Sequence, residues 1–133
     1  MFEVSVEDSF AAGHALRGYR GKCENAHGHN YKVRITLSGE TLDNTGLLYD
    51  FKDLKAFLGE VIDRLDHQYL NDLEPFQQQN PSAENMAKYF YEQLTARLHA
   101  ATEGRVRLKQ VELWETDTTA AIYFEESGDR MIG

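Results

Sequence analysis

His27 and His29, separated by one glycine, exclude a helix as the element that could use them together. Residues two apart point in different directions on a helix, but they share a face of an extended strand. On a strand their Cα atoms are about 6.6 Å apart, from a rise of ~3.3 Å per residue, so both rings can bend toward one ion. A third histidine, His14, lies upstream in Phe10-Ala11-Ala12-Gly13-His14. Delivered from a neighbouring strand, it would complete a set of three imidazoles with one coordination position open, the pattern of a catalytic zinc. A lone His-x-His is common and often incidental. Here the single cysteine, Cys23, precedes the pair in Cys23-Glu24-Asn25-Ala26-His27 and can lie near the metal without binding it. A structural zinc closed by His and Cys lacks the second cysteine it would normally use.

The alternation around this pair extends the strand argument. Tyr31, Val33, Ile35 and Leu37 alternate with Lys32, Arg34, Thr36 and Ser38, and the histidines share the parity of Tyr31 and Val33. Residues 2–7 alternate Phe2, Val4, Val6 against Glu3, Ser5, Glu7, giving another strand. Residues 40–47 carry turn formers. Leu54, Phe57, Leu58, Val61, Ile62 and Leu65 keep helical spacing behind an Asp50 N-cap, with Tyr49 able to staple against Leu54. Residues 66–72 read as irregular. Ser82 caps a second helix carrying Met86, Phe90, Leu94 and Leu98, which ends before Gly104. Strands over 105–116 and 120–125 follow, separated by Asp117-Thr118-Thr119.

The order is therefore ββααββ, an α+β chain read as one domain over residues 1–133. Two helices cover only one face of such a sheet. Trp114, Ile122 and Phe124 lie on strands where both parities carry apolar groups, so both faces are expected to be at least partly buried, which implies a partner subunit.

The formal net charge of −8 disfavours nucleic acid and anionic membranes as partners. Arg17, Arg20 and Lys22 nevertheless crowd the loop before Cys23, which suits a small anionic ligand as well as it suits an ordinary solvated loop. One cysteine permits no internal disulfide. The N-terminus lacks the basic and apolar regions of a signal peptide, and no apolar run is long enough to span a bilayer, so the cytoplasm is the expected location.

Other candidates carry weaker signals singly. Cys23 would act as thiolate, its pKa lowered by zinc, Lys22 and Arg20; a lone cysteine is more often a small buried hydrophobe. Asp66-His67 sets an acid beside an imidazole, although adjacent residues need not face each other. Glu115, at a strand end, is by itself an ordinary solvent acid; buried, it would need a partner such as a guanidine-like donor edge. His99 reads as a surface residue.

Taken in order, Phe10-x-Ala12-x-His14, Cys23-x-x-x-His27-Gly28-His29, Asp50-Phe51, Leu65-Asp66-His67, Leu70-Asn71, Asn80-Pro81-x-x-Glu84-Asn85 and Glu115-Thr116 cover nearly the whole chain. This pattern resembles the 6-pyruvoyl-tetrahydropterin synthase / 6-carboxy-tetrahydropterin synthase family. The compact spacing from Cys23 to His27 is most similar to the bacterial 6-carboxy branch that serves queuosine (7-deazaguanine) synthesis. Ser82-Ala83 stands where many relatives have Pro-Thr, a small change at an N-cap.

The resemblance implies a tunnelling fold, assembled into trimers stacked as hexamers, with sites between subunits. It implies Zn²⁺ on His14, His27 and His29, Cys23 as catalytic base, and Asp66 and His67 as its relay partners. Glu115 would anchor the pterin edge beside Thr116, with Arg20 and Lys22 toward the phosphates. The implied reaction converts 7,8-dihydroneopterin triphosphate to 6-carboxy-5,6,7,8-tetrahydropterin, acetaldehyde and triphosphate. Alternatives left open by the sequence are a 6-pyruvoyl product, a folate-branch side-chain lyase, or a zinc-bearing pterin-binding protein without turnover.

Overall fold

Two long strands paired along their full length set the frame. In the computed structural model, which describes residues 1–19, 21 and 25–126, β1 (Phe2–His14) pairs antiparallel with β2 (His27–Gly39), from Phe2 opposite Gly39 to His14 opposite His27. β1 thus continues well past the expected 2–7. Asp8, Ala11 and Gly13 interrupt its apolar alternation, but the ladder with β2 supplies the hydrogen bonds that local propensity does not. The expected early start of β2 at the histidines is observed.

Helix α1 (Phe51–Leu65) starts where the Asp50 carboxylate accepts from the Lys52 and Asp53 N–H groups. Tyr49 stacks on Phe57, at 6.3 Å between centroids. After α1 come two single 3₁₀ turns, Leu70–Asp72 and Glu74–Phe76. Helix α2 (Ala83–Thr102) is capped by Ser82, whose hydroxyl accepts from Asn85 N–H. It stops where Glu103 (φ 53°) and Gly104 (φ 83°) adopt left-handed backbone, a common way to end a helix. β3 (Arg107–Thr116) and β4 (Thr119–Tyr123) complete an antiparallel sheet in the order β1-β2-β3-β4.

Both helices lie on one face of the sheet. Tyr31, Val33, Ile35, Leu37, Val111 and Leu113 from the sheet meet Leu54, Leu58, Leu65, Met86, Phe90 and Leu94 from the helices, all buried. Full burial of each such side chain contributes about 1.5–3 kcal/mol, so this contact dominates the fold. The opposite face carries charge. Lys109 pairs with Glu3 at 2.6 Å, Arg34 bridges Glu7 (2.9 Å) and Glu112 (3.5 Å), and Lys32 lies over Trp114 at 5.0 Å. On the chain alone Lys32, Arg34 and Trp114 of this face are half-buried, whereas Ile122 is 51% and Phe124 57% exposed on and just beyond β4. Among the described residues, no helix is long and apolar enough to cross a membrane.

Candidate metal centre and adjoining cleft

The histidines converge because of register. His14 is opposite His27, Ala12 opposite His29 and Phe10 opposite Tyr31, so both strands turn these side chains toward the helices. β3 enters on the other side of β2 with Leu113 opposite Val33. Glu115, of the same parity as Leu113, is thereby carried to the histidine end of the sheet.

His14, His27, His29 and Glu115 each offer a donor atom, and all four atoms lie within 4.8 Å of one another. His14 Nε2 is 3.1 Å from His27 Nε2, and Glu115 Oε1 is 3.0 Å from His29 Nε2 and 3.8 Å from His14 Nε2. Tetrahedral zinc with bonds of ~2.1 Å would set its donors about 3.4 Å apart. The observed separations bracket that value.

The tautomers argue in the same direction. His14 Nδ1 donates to the Pro81 carbonyl and His27 Nδ1 to the Asn25 carbonyl, both at 2.7 Å, since a carbonyl can only accept. In the neutral rings each Nε2 is then a bare lone pair, and two lone pairs 3.1 Å apart repel unless a cation lies between them. A proton is a poor candidate for that cation at His14, which is 1% exposed. Burial holds its pKa below the usual histidine value, against the opposing effects of Pro81 and Glu115. His29 Nε2 is buried without a hydrogen-bond partner. Its 3.0 Å approach to Glu115 lacks hydrogen-bonding geometry, as befits two donors directed at a third centre. The residues therefore fit a divalent metal, with Pro81 and Asn25 orienting the rings from behind.

Three imidazoles with an open fourth position were the expectation from sequence. The structure brings the Glu115 carboxylate up beside the three imidazoles as well. The same residue also lines a cleft of about 350 Å³ with Ala83, Glu84 and Thr119–Ile122. Thr116 is turned to the opposite side of the sheet. It lines a separate hollow with Trp114 and Asp117, and its hydroxyl lies 2.6 Å from that of Thr119 in the β3–β4 turn.

Asp66 and His67 do form a pair, despite being adjacent. The Asp66 carboxylate receives His67 Nδ1 at 3.0 Å and Ala11 N–H at 3.0 Å. The Ala11 bond is the main cause of its lowered pKa. His67 adopts φ 60°, a costly conformation for a residue with a side chain. It is held there by its N–H bond to the Ala11 carbonyl at 2.6 Å. Gly13 N–H donates in turn to the Gln68 carbonyl at 3.0 Å. Segment 66–69 thus covers the free edge of β1 at Ala11 and Gly13, where backbone groups would otherwise be unpaired. It also brings His67 to a cleft of about 550 Å³ that His29, Asn30 and Tyr69 line as well.

Arg20, Lys22 and Cys23 lie outside the described residues. Arg17, grouped with the phosphate candidates by its charge, is occupied: its guanidinium donates to the carbonyls of Phe76 (2.8 Å), Asn71 (3.2 Å) and Gln79 (3.3 Å). Asn71 and Asn80 supply a role the sequence reading did not assign. The Asn71 amide bridges both backbone groups of Ala15 (2.9 Å each), and Asn80 does the same for Arg17 (2.9 and 3.0 Å). They fix the chain just beyond His14. The signal for them was two asparagines in an otherwise irregular stretch, one of them before proline. His99 lies at a shallow hollow between α2 and β3, with Tyr91 and Arg107, away from this centre.

A family model described as 6-pyruvoyl tetrahydropterin synthase matches residues 3–126. The chain is 36% identical to a 6-carboxy-5,6,7,8-tetrahydropterin synthase of Synechocystis sp., over 93% of this chain and 94% of the relative. It is 35% identical to a 6-pyruvoyl tetrahydrobiopterin synthase of Pongo abelii, over 91% of this chain and 90% of the relative. Among solved structures, 6-pyruvoyl tetrahydropterin synthase of Caenorhabditis elegans superposes with a TM-score of 0.80 at 32% identity, covering 95% of this chain and 98% of the other.

Proposed function

The chain belongs to the 6-pyruvoyl tetrahydropterin synthase family of enzymes, and we propose from this membership that it is a zinc-dependent 6-carboxy-5,6,7,8-tetrahydropterin synthase. Its substrates would be 7,8-dihydroneopterin triphosphate and water, and its products 6-carboxy-5,6,7,8-tetrahydropterin, acetaldehyde and triphosphate, in the queuosine route. The observation that carries this reading is the convergence of His14, His27, His29 and Glu115 within 4.8 Å, in a chain matched by the family over residues 3–126.

In the proposal His14, His27 and His29 hold the ion. Bound there, zinc would supply Lewis acidity toward the substrate's side-chain hydroxyls. Cys23, four positions before His27, would remove a proton from the pterin side chain as thiolate. His67 would return one. With Nδ1 committed to the Asp66 carboxylate, His67 keeps Nε2 free toward the cleft it shares with His29. Asp66 thereby fixes the tautomer. Glu115 would accept hydrogen bonds from the pterin's guanidine-like edge, the strongest kind of partner for a carboxylate. Arg20 and Lys22 would meet the triphosphate, whereas Thr116, on the opposite side of the sheet from Glu115, is not placed to reach the ring within one chain. The working form is proposed to be a homotrimer or hexamer. The exposed Ile122 and Phe124, and the charged outer sheet face, support a partner subunit there.

The test is to incubate zinc-loaded protein with 7,8-dihydroneopterin triphosphate and identify the product by mass spectrometry. The 6-carboxy acid with acetaldehyde is expected. A 6-pyruvoyl product would move the chain to the other activity named among its relatives, and no release of triphosphate would remove the synthase reading.

A further inference from the structure

His14 is the last residue of β1, and its pairing with His27 is the last rung of the β1–β2 ladder. Strand ends open more readily than strand centres, so a metal ligand at this position needs fixing from elsewhere. The fixing comes from residues 77–81, which belong to no helix or strand. His14 Nδ1 donates to the Pro81 carbonyl at 2.7 Å, which leaves Nε2 as the free lone pair facing His27. Proline has no N–H by which it could be tethered, so the position of its carbonyl depends on its neighbours.

Those neighbours are held by Arg17 and Asn80. The Arg17 guanidinium donates to the carbonyls of Phe76 (2.8 Å), Asn71 (3.2 Å) and Gln79 (3.3 Å). The Asn80 amide grips the Arg17 backbone at both groups, accepting from its N–H at 2.9 Å and donating to its carbonyl at 3.0 Å. On the other side, the Asn80 carbonyl accepts from Asn85 Nδ2 at 2.8 Å, in the first turn of α2. The carbonyls of Gln79, Asn80 and Pro81 are thus taken in turn by Arg17, Asn85 and His14. Arg17 is exposed, yet its side chain is fixed at three points. A guanidinium can span three carbonyls because its five N–H groups form a rigid fork; a lysine ammonium is a compact point charge without that reach.

We infer that Arg17 and Asn80 are positioning residues for the metal: they hold the Pro81 carbonyl against His14 Nδ1, and through it the His14 lone pair on the ion. This rests on the metal reading of the three histidines and adds the support on which its most buried ligand depends. It also gives Arg17 a use that its charge alone does not suggest. The cation works by the shape of its fork, with its donors taken up by carbonyls rather than by an anion. Losing the outer partner of a metal ligand typically lowers metal affinity about 10–100-fold. Arg17 and Asn80 act one link further back, so the lower end of that range is expected.

The variants are R17K, which keeps the charge and loses the fork, and N80A, which releases the Arg17 backbone. R105K is the control. Arg105 donates to the carbonyls of Thr41 (3.0 Å) and Leu48 (2.8 Å), beyond the end of β2 that is remote from the histidines. Zinc affinity is measured by chelator competition well below each variant's melting temperature. Exchange of the His14 Nδ1 proton is followed by NMR in the metal-free chain. R17K and N80A are each expected to weaken zinc binding roughly tenfold and to speed exchange of that proton. R105K is expected to lower the melting temperature and do neither. Wild-type zinc affinity in folded R17K and N80A would overturn the inference, and N80A decides alone if R17K does not fold. An equal loss of zinc in R105K would also overturn it, by tracing the effect to general stability. A wild-type chain that binds no zinc would defeat the metal reading and this inference with it. Zinc held equally by the wild type and both clamp variants would defeat the inference alone.

Discussion

The backbone N–H of Ala11 donates to the Asp66 carboxylate at 3.0 Å, tying the edge strand to the residue that orients His67. The expected consequence is that one side chain serves structure and chemistry together. Asp66→Ala should speed amide exchange at Ala11 and at Gly13, whose N–H is held by the same segment, and should lower turnover while zinc stays bound. The Asp66 pKa is lowered in the folded chain, chiefly by the Ala11 bond. Its stabilising contribution is therefore complete above the ordinary value of 3.8 and is lost as pH falls through the lower folded value. Exchange and melting measured at neutral pH and near pH 3 would check this; an exchange pattern in Asp66→Ala identical to wild type would contradict it.

Removing the metal should leave a protein more sensitive to acid. Burial depresses the His14 pKa below its ordinary 6.5, so the unfolded chain binds more protons than the folded one as pH drops below that value. Stability of the metal-free chain is expected to be full above 6.5 and to fall as pH approaches the depressed value. Melting curves of zinc-free protein at pH 7.5 and 5.5 would show it. His27→Ala, which deletes a ligand outright, should lose most bound zinc by metal analysis.

Cys23→Ala separates three roles. As catalytic base, its loss should reduce turnover by ~10²–10⁴-fold with zinc and pterin binding retained. A metal ligand would instead take zinc with it, and a packing residue would lower the melting temperature at constant activity per folded molecule. His67→Ala is expected to behave like Cys23→Ala, because a base and an acid acting in one sequence fail together.

Assembly can be tested at β4. Ile122 and Phe124 are both more than half exposed on the chain alone. Sedimentation should show at least a trimer at low micromolar concentration, and Ile122→Asp with Phe124→Asp should shift the protein toward smaller species. A stable, fully active monomer of the wild-type chain would contradict this.

The helices were legible in the sequence because their determinants are local. Asp50 and Ser82 bond to N–H groups two or three residues away, and the apolar stripes of α1 and α2 repeat within one element. The alternation of β2, extended back to His27, was local in the same sense. The end of β1 was not. Asp8 through Gly13 carry no strand pattern of their own, and pairing with β2 and with segment 66–69 imposes one. The Asn71 and Asn80 clamps on Ala15 and Arg17 were equally invisible, since each joins segments far apart in the chain. The histidines could be read as a metal set from spacing alone, whereas the Glu115 approach depended on how β3 registers against β2, a choice made by core packing of Val111 and Leu113. Spacing along one strand is a property of the chain; distance across three strands exists only once the sheet has formed.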